Sequence, residues 1–416
     1  MPKKPKLISI KCIACTEYKD CTSYDKWGCP AVEYARSVLD GKDRDGKDMI
    51  ACRWVKLACE RFIDDLKNGK KRGLYFDIGA ADLAIKFFSY LRLWKGREYK
   101  GKHFLMGKHF QFIISNLMGW KRADHTRRFR IGYVEMGRKQ SKTSVAGGLG
   151  AYFFIVDGEE GAEIYSAAVT RDQAKLVWEN IKNLTKPSKF APGINYYTHN
   201  LSIESTWSKC EPLSSDSKSL DGLDTHFASL DELHAHPDPR VHDLIIDSLG
   251  SRSQPMVLII TTAGFDQAGV CYQRREYLTQ ILKKTIADDS FFGIIYTLDT
   301  KKDWPGLVDR TSKSKTKTKE DDWQDEDVWV KAMPSLWGIT KNGIPYGIDK
   351  NGEQIPGYMA KLSDVREKAL YAASNPAALN NFQCKRLNIW TQQLSRWIDL
   401  QLWDSNFTSD VYVMEQ

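Results

Sequence analysis

The sequence predicts an α/β fold, a mostly parallel sheet flanked by helices, on three observations. Between residues 128 and 300, short β-rich runs alternate with helical stretches. The runs (RFRIGYVEM, AEIYSAAV, THFASL, PMVLIITT and FFGIIYTL) are apolar without strict alternation, as strands buried on both faces require. The first of them passes through a basic polar loop into a helix, an order suited to binding phosphate.

The elements follow in chain order, in four segments. Residues 1–30 form a Cys-rich extension. Residues 31–118 read as helical: VEYARSVL, then CRWVKLACERFIDDLKNG with Ala51, Val55, Ala58, Phe62 and Leu66 on one face and Gly69 as its C-cap, then LAIKFFSYLRLW. Residues 119–300 hold the α/β core, its strands interleaved with RDQAKLVWENIKNL, a helix from about Val241, and QRREYLTQILKKT. Within 301–416, TSKSKTKTKEDDWQDED sets a basic run before an acidic one and predicts a solvated linker or mobile loop. A Trp-rich stretch follows, with DVWVKAMPSLWG, DVREKALYAASN and NNFQCKRLNIW.

Composition narrows the function classes. The 416 residues are 42% hydrophobic, 12% aromatic and 27% charged, enough apolar surface for a core and too long for a hormone or lone zinc finger. Lys and Arg total 61 against 53 Asp and Glu, so the net charge of +8 leans towards a polyanionic partner. Apolar runs such as AYFFIV and MVLII fall short of the roughly 20 residues that cross a bilayer, and MPKKPKLISIKCIAC lacks a signal-peptide core. The expectation is therefore a chain with no membrane partner. Its nine cysteines are expected to be reduced thiols.

Three motifs carry chemistry. In GRKQSKTS, backbone N–H groups at the loop and helix start would cradle phosphates, with Lys142 neutralising charge and the Thr143 hydroxyl on Mg²⁺. The glycines of the G-x-x-x-x-G-K-[ST] pattern are missing, since Met136 and Ser141 stand in their places. A basic strand-to-helix turn fits the same residues. THFASL ends in Asp231-Glu232, which could hold Mg²⁺ and activate water, or cap the next helix. PMVLIITT ends in Thr261, Thr262, Ala263 and Gly264, where small hydroxyl residues could sense a phosphate, or only end the strand.

Other clusters have plainer readings beside sharper ones. Cys12, Cys15, Cys21 and Cys29 could bind a structural Zn²⁺, the first pair at knuckle spacing and the second pair irregular. Cys52 and Cys59 are read as core, and His234 and His236 as cap or packing residues. Lys313, Lys315, Lys317 and Lys319 could meet DNA phosphates or simply be solvated.

The run LDGLDTHFASLDELHAHPD, followed by SRSQPMVLIITTAG, with GWKRADHTRRFRIGYVEMGRKQSKTSVAG and YSAAVTRDQAKLVWENIK upstream, resembles the large terminase subunit of tailed double-stranded DNA bacteriophages. These are the ATPases of the genome-packaging motor, and the likeness extends from about Ala31 to about Trp403. It implies a P-loop NTPase fold of the ASCE or RecA-like type, with ATP and Mg²⁺ as cofactors. It assigns Lys139, Gln140, Ser141, Lys142, Thr143 and Ser144 to the triphosphate, Thr143 and Asp231 to Mg²⁺, and Glu232 to water activation. It gives Thr261, Thr262, Ala263 and Gly264 a coupling role and matches Gln111 to an adenine-contacting Gln. Arg138 is favoured as the arginine meeting γ-phosphate charge, with Arg171 and Arg252 as alternatives.

The implied partners are double-stranded DNA, a portal protein, a small terminase subunit and other copies of the chain in a ring, in the host cytoplasm. Family members usually continue into an RNase H-like nuclease with clustered Asp residues. The sequence stops at WDSNFTSDVYVMEQ, so nuclease activity is not expected of these residues, and a truncated prophage remnant is the alternative to a working motor.

Overall fold

The computed structural model describes residues 29–97, 100–214, 222–308, 318–336 and 361–391. Helix α1 (Pro30–Asp40) starts on a proline, where a missing N–H costs nothing, and stops at Gly41 in the left-handed region at φ 70°. Helix α2 (Arg53–Asn68) buries Val55, Ala58 and Phe62 as predicted, and adds Trp54 and Cys59. Its predicted stop is displaced. Gly69 has a helical φ of −59° and continues into a 3₁₀ turn, and the left-handed residue is Gly73 at φ 72°. Strand β1 (Leu74–Phe76), helices α3 (Ile78–Tyr90) and α4 (Lys108–Gly119), and strand β2 (Trp120–Arg122) complete this part, β1 and β2 forming an antiparallel ribbon.

The main sheet has eight strands: β3 (Ile131–Glu135), β4 (Glu163–Ala168), β5 (Asn195–Tyr196), β6 (Leu201–Ile203), β7 (Ser208–Ser214), β8 (Thr225–Asp231), β9 (Met256–Thr261) and β10 (Phe291–Ile295). Their order is β10-β3-β9-β8-β4-β7-β6-β5. Pairings from β10 to β7 are parallel and the last two antiparallel. Every residue of β8 and β9 is buried, which is why their sequences show no alternation. Strands β5, β6 and β7 lie in a stretch where the sequence predicts no strand, so THFASL is the fourth parallel strand in chain order, not the third.

Helices α5 (Lys142–Ile155), α6 (Arg171–Thr185), α7 (Arg240–Asp247) and α8 (Val270–Leu282) connect the strands. α5 is buried nearly all round, so it carries no polar stripe. Its glycines allow this: a Cβ on Gly147 would lie 3.2 Å from the backbone N of Ile181 in α6.

One apolar core runs from Cys29 to Tyr296 and takes in Cys384 and Trp390 from far along the chain. A second, smaller core gathers Trp329, Met333, Val365, Phe382 and Leu387 around helices α9 (Leu362–Ser374) and α10 (Pro376–Lys385). The acidic half of the expected solvated linker is instead built in. Asp321 accepts from the Asp299 N–H at 2.7 Å and from Lys331 Nζ at 2.7 Å. Lys313, Lys315 and Lys317 lie outside the described residues, while Lys319 is exposed and bridges Val308. Among the described residues, no helix is long and apolar enough to cross a membrane, and all six cysteines are free and buried, Cys52 and Cys59 included.

Candidate functional site

The C-terminal ends of β3, β8 and β9 meet at one edge of the sheet, and the motif residues converge there. β3 ends at Glu135, and residues 136–141 turn into α5. Two non-glycine residues in that turn are left-handed, Lys139 at φ 65° and Ser141 at φ 62°. Ser141 thus adopts the conformation that glycine would supply, and the degenerate motif keeps the loop shape at the cost of local strain. Lys142 is buried and donates to Met136 O at 2.8 Å and Gly137 O at 3.0 Å. Burial lowers its proton affinity, against the pull of Glu232 and Asp231.

The acidic pair faces the first turn of α5. Thr143 donates from Oγ1 to Asp231 Oδ2 at 3.1 Å, joining two motifs 88 residues apart. Asp231 Oδ1 is buried with no hydrogen-bond partner. Burial, then the neighbouring Glu232 charge, push the Asp231 carboxyl up to about 7. Glu232 sits in a left-handed turn at φ 51°. Burial alone would raise its pKa, but His234 and the charges of Lys142 and Arg138 hold it down at about 2. His234 Nδ1 lies 3.1 Å from Glu232 Oε2, although that oxygen makes no aligned hydrogen bond. A hydroxyl, a carboxylate and buried oxygens without partners form a hard-oxygen donor set of the kind Mg²⁺ prefers.

The segment after β9 lies against this pair. Thr261 Oγ1 is 3.1 Å from His234 Nδ1 and Thr262 Oγ1 is 3.4 Å from it, while a Cβ on Gly264 would meet His234 Cβ at 3.0 Å. Behind the segment stands the CKRLNIW stretch. Asn388 is fully buried at φ 57°; its Oδ1 accepts from Ala263 N at 2.6 Å, and its Nδ2 donates to Glu135 Oε1 at 3.1 Å and Tyr296 O at 2.8 Å. Lys385 donates to Ala263 O at 2.9 Å, and its carbonyl accepts from Arg138 N at 2.8 Å. Ala332 O likewise accepts from Gly137 N at 3.0 Å.

The structure brings Lys142, Thr143, Asp231, Glu232, Thr261, Thr262, Ala263 and Gly264 together. Arg138 and Lys139 are exposed on the loop, and Gln140 is buried with Oε1 accepting from Ser335 N at 2.9 Å. Ser144 Oγ turns to Asn180 Oδ1 at 3.3 Å, and Gln111 Nε2 to Met106 O at 2.9 Å. Arg171 is exposed at the start of α6, whereas Arg252 is tied to Glu159 and Asp224. Cys12, Cys15 and Cys21 lie outside the described residues; Cys29 is a buried free thiol, and the described residues hold no group of three or more His, Cys, Asp or Glu arranged for a metal. Sequence reasoning missed His234, Lys385, Asn388 and Glu135 as parts of the site. The only signal for Glu135 and Asn388 was a polar residue among apolar neighbours, and Lys385, beside Gln383 and Arg386, carried none.

A parallel sheet with β9 between the loop strand and the acidic strand, and with Lys142, Thr143, Asp231 and Glu232 at its edge, defines an α/β NTPase fold. More particularly, residues 108–280 match the family model for the terminase large subunit, ATPase domain, and this match shows the resemblance drawn from the sequence. The protein YmfN of Escherichia coli (strain K12) is 29% identical over 185 residues, which is 44% of this chain and 32% of that protein. The large terminase of bacteriophage HK97 superposes with a TM-score of 0.56 at 16% identity, covering 74% of this chain and 55% of that one. The ATPase domain of the Thermus phage P74-26 large terminase gives a TM-score of 0.30 at 17% identity over 44% of this chain and 80% of that one. The chain therefore spans about a third of YmfN and about half of the HK97 protein.

Proposed function

We propose that this protein is the ATP-hydrolysing motor subunit of a DNA-packaging terminase, translocating double-stranded DNA into a procapsid. The observation that carries the reading is the Thr143–Asp231 hydrogen bond beside buried Lys142 and ionised Glu232, within a segment that matches terminase ATPase domains. Bound Mg-ATP supplies the transferable phosphoryl group, its charge partly neutralised by the metal. Lys142 would exchange its two loop carbonyls for phosphate oxygens, and Thr143 with Asp231 would hold Mg²⁺. Glu232 stays an anion at neutral pH, so it orients the attacking water and takes its proton as the bond to the γ-phosphorus forms and the bond to the bridging oxygen breaks, releasing ADP. Arg138, exposed on the loop, meets the developing charge.

Gln111 would contact the adenine, and Ser144 would form part of the helix start beneath the phosphates. Segment 261–264 carries the change at Glu232 towards the DNA-gripping surface. DNA, a portal ring, a small terminase subunit and a ring of identical copies are the partners this reading assigns, in the host cytoplasm. The net charge of +8 suits the DNA.

The test is ATP hydrolysis by the purified chain with and without linear double-stranded DNA, beside Lys142→Ala and Glu232→Ala. Each variant should lose at least about a hundredfold in turnover. Unchanged hydrolysis in either one sinks the assignment.

A further inference from the structure

Lys385 is only 7% exposed and among the described residues has no carboxylate partner. Its partners are Ala263 O at 2.9 Å, the neighbouring Cys384 thiol and the Phe265 ring face at 5.0 Å. A buried ammonium held by a neutral carbonyl is a costly arrangement, and in a protein interior it points to an anion. The anion it could serve is set by its position. Through its own carbonyl Lys385 is bonded to Arg138 N in the loop, and through Nζ to Ala263 in the segment that follows β9. It also feels the charges of Arg138 and Glu232. A four-carbon stem lets the ammonium turn from Ala263 towards the loop without moving the backbone.

We propose that Lys385 binds the γ-phosphate of the nucleotide in cis, releasing the Ala263 carbonyl as it does so. This rests on the ATPase reading above. It gives the C-terminal stretch a direct part in the site, because a residue more than a hundred positions beyond Ala263 would read whether the terminal phosphate is present. It also supplies a route from phosphate to the coupling segment that does not pass through Glu232. The competing role is structural: a lysine in the last turn of α10 also complements the negative end of that helix.

Equilibrium binding of mant-AMP-PNP and mant-ADP with Mg²⁺ separates the two, using the full chain and its Lys385→Met and Lys385→Arg variants. Lys385→Met should weaken mant-AMP-PNP about tenfold, leave mant-ADP within about twofold, and Lys385→Arg should recover most of the loss. Equal weakening of both nucleotides, or none of either, overturns the proposal in favour of a purely structural lysine. If Lys385→Met does not fold, Lys385→Arg and Lys385→Gln decide it: the charge-keeping variant must discriminate the two nucleotides and the neutral one must not. Failure of the unmodified protein to bind either nucleotide would instead overturn the ATPase reading itself.

Discussion

His234 places one ring nitrogen 3.1 Å from Glu232 Oε2 and 3.1 Å from Thr261 Oγ1, so a single imidazole touches both the acidic turn and the end of β9. Burial lowers its pKa, which keeps the ring neutral at pH 7 and makes it a positioning group, not a cation. His234→Ala should reduce DNA-stimulated turnover about tenfold or more while leaving nucleotide affinity within about twofold, with His234→Asn recovering part of the rate. Steady-state kinetics beside mant-nucleotide binding gives the answer; equal losses in both would assign His234 to packing alone.

Ser141 pays for its left-handed φ of 62° in backbone strain. Ser141→Val, branched at Cβ, should lower stability by about 1–3 kcal/mol, whereas Ser141→Gly should change it by no more than about 1 kcal/mol and keep nucleotide binding. Urea unfolding of the two variants tests this. Equal destabilisation would mean that the hydroxyl, not the backbone angle, decides the position.

Asn388 closes a polar network around Glu135, whose pKa burial raises against the opposing pull of Arg275, Tyr133 and Trp390. Removing the amide strands Ala263 N–H and weakens the hold on Glu135. Asn388→Ala should therefore cost about 2–4 kcal/mol, and hydrogen exchange should show faster opening at residues 261–264 than in β4. Uniform exchange across the sheet would contradict a local role.

Away from the site, Asp157 pairs with Arg127 at 2.5 Å and His226 Nε2 at 2.7 Å, with 6% of its side chain exposed. Burial would raise its pKa, but Arg127 first and His226 next depress it. A depressed folded pKa stabilises above the unfolded value near 3.9 and is lost as pH falls from there through the folded value. Asp157→Ala should cost about 3–5 kcal/mol at pH 7 and progressively less as the pH is taken below about 4, read by denaturant midpoints. A cost that stays constant with pH would rule out the charged pair as its source.

The parallel sheet was legible because β8 and β9 are buried on both faces, and burial on both faces leaves an unmistakable apolar run. Lys142, Thr143, Asp231 and Glu232 were legible because they sit at the start of a helix or the end of a strand, where local pattern and chemistry coincide. Ser141 was legible as a departure, but its left-handed backbone was not, since nothing in a serine announces it. The roles of His234, Lys385 and Asn388 were illegible for a different reason. Each acts across long sequence separations or between two loops, and a separation of 125 positions between Ala263 and Asn388 leaves no local trace of their contact. The acidic run near Asp321 misled in the opposite direction, because its partners, Asp299 N–H and Lys331, lie outside the window in which it looked solvated.

The return of residues 384–390 to the edge of the sheet also has a timetable. During synthesis at about 5–20 residues per second, the strands through β10 are complete several seconds before Lys385 and Asn388 emerge. Over that interval the Gly137, Arg138 and Ala263 N–H groups have no partner from the later chain, and Cys384 and Trp390 are missing from the core. A ribosome-bound chain released up to β10 should therefore carry its sheet but not its finished site, so maturation of the NTPase edge is a late, separate event in the life of each molecule.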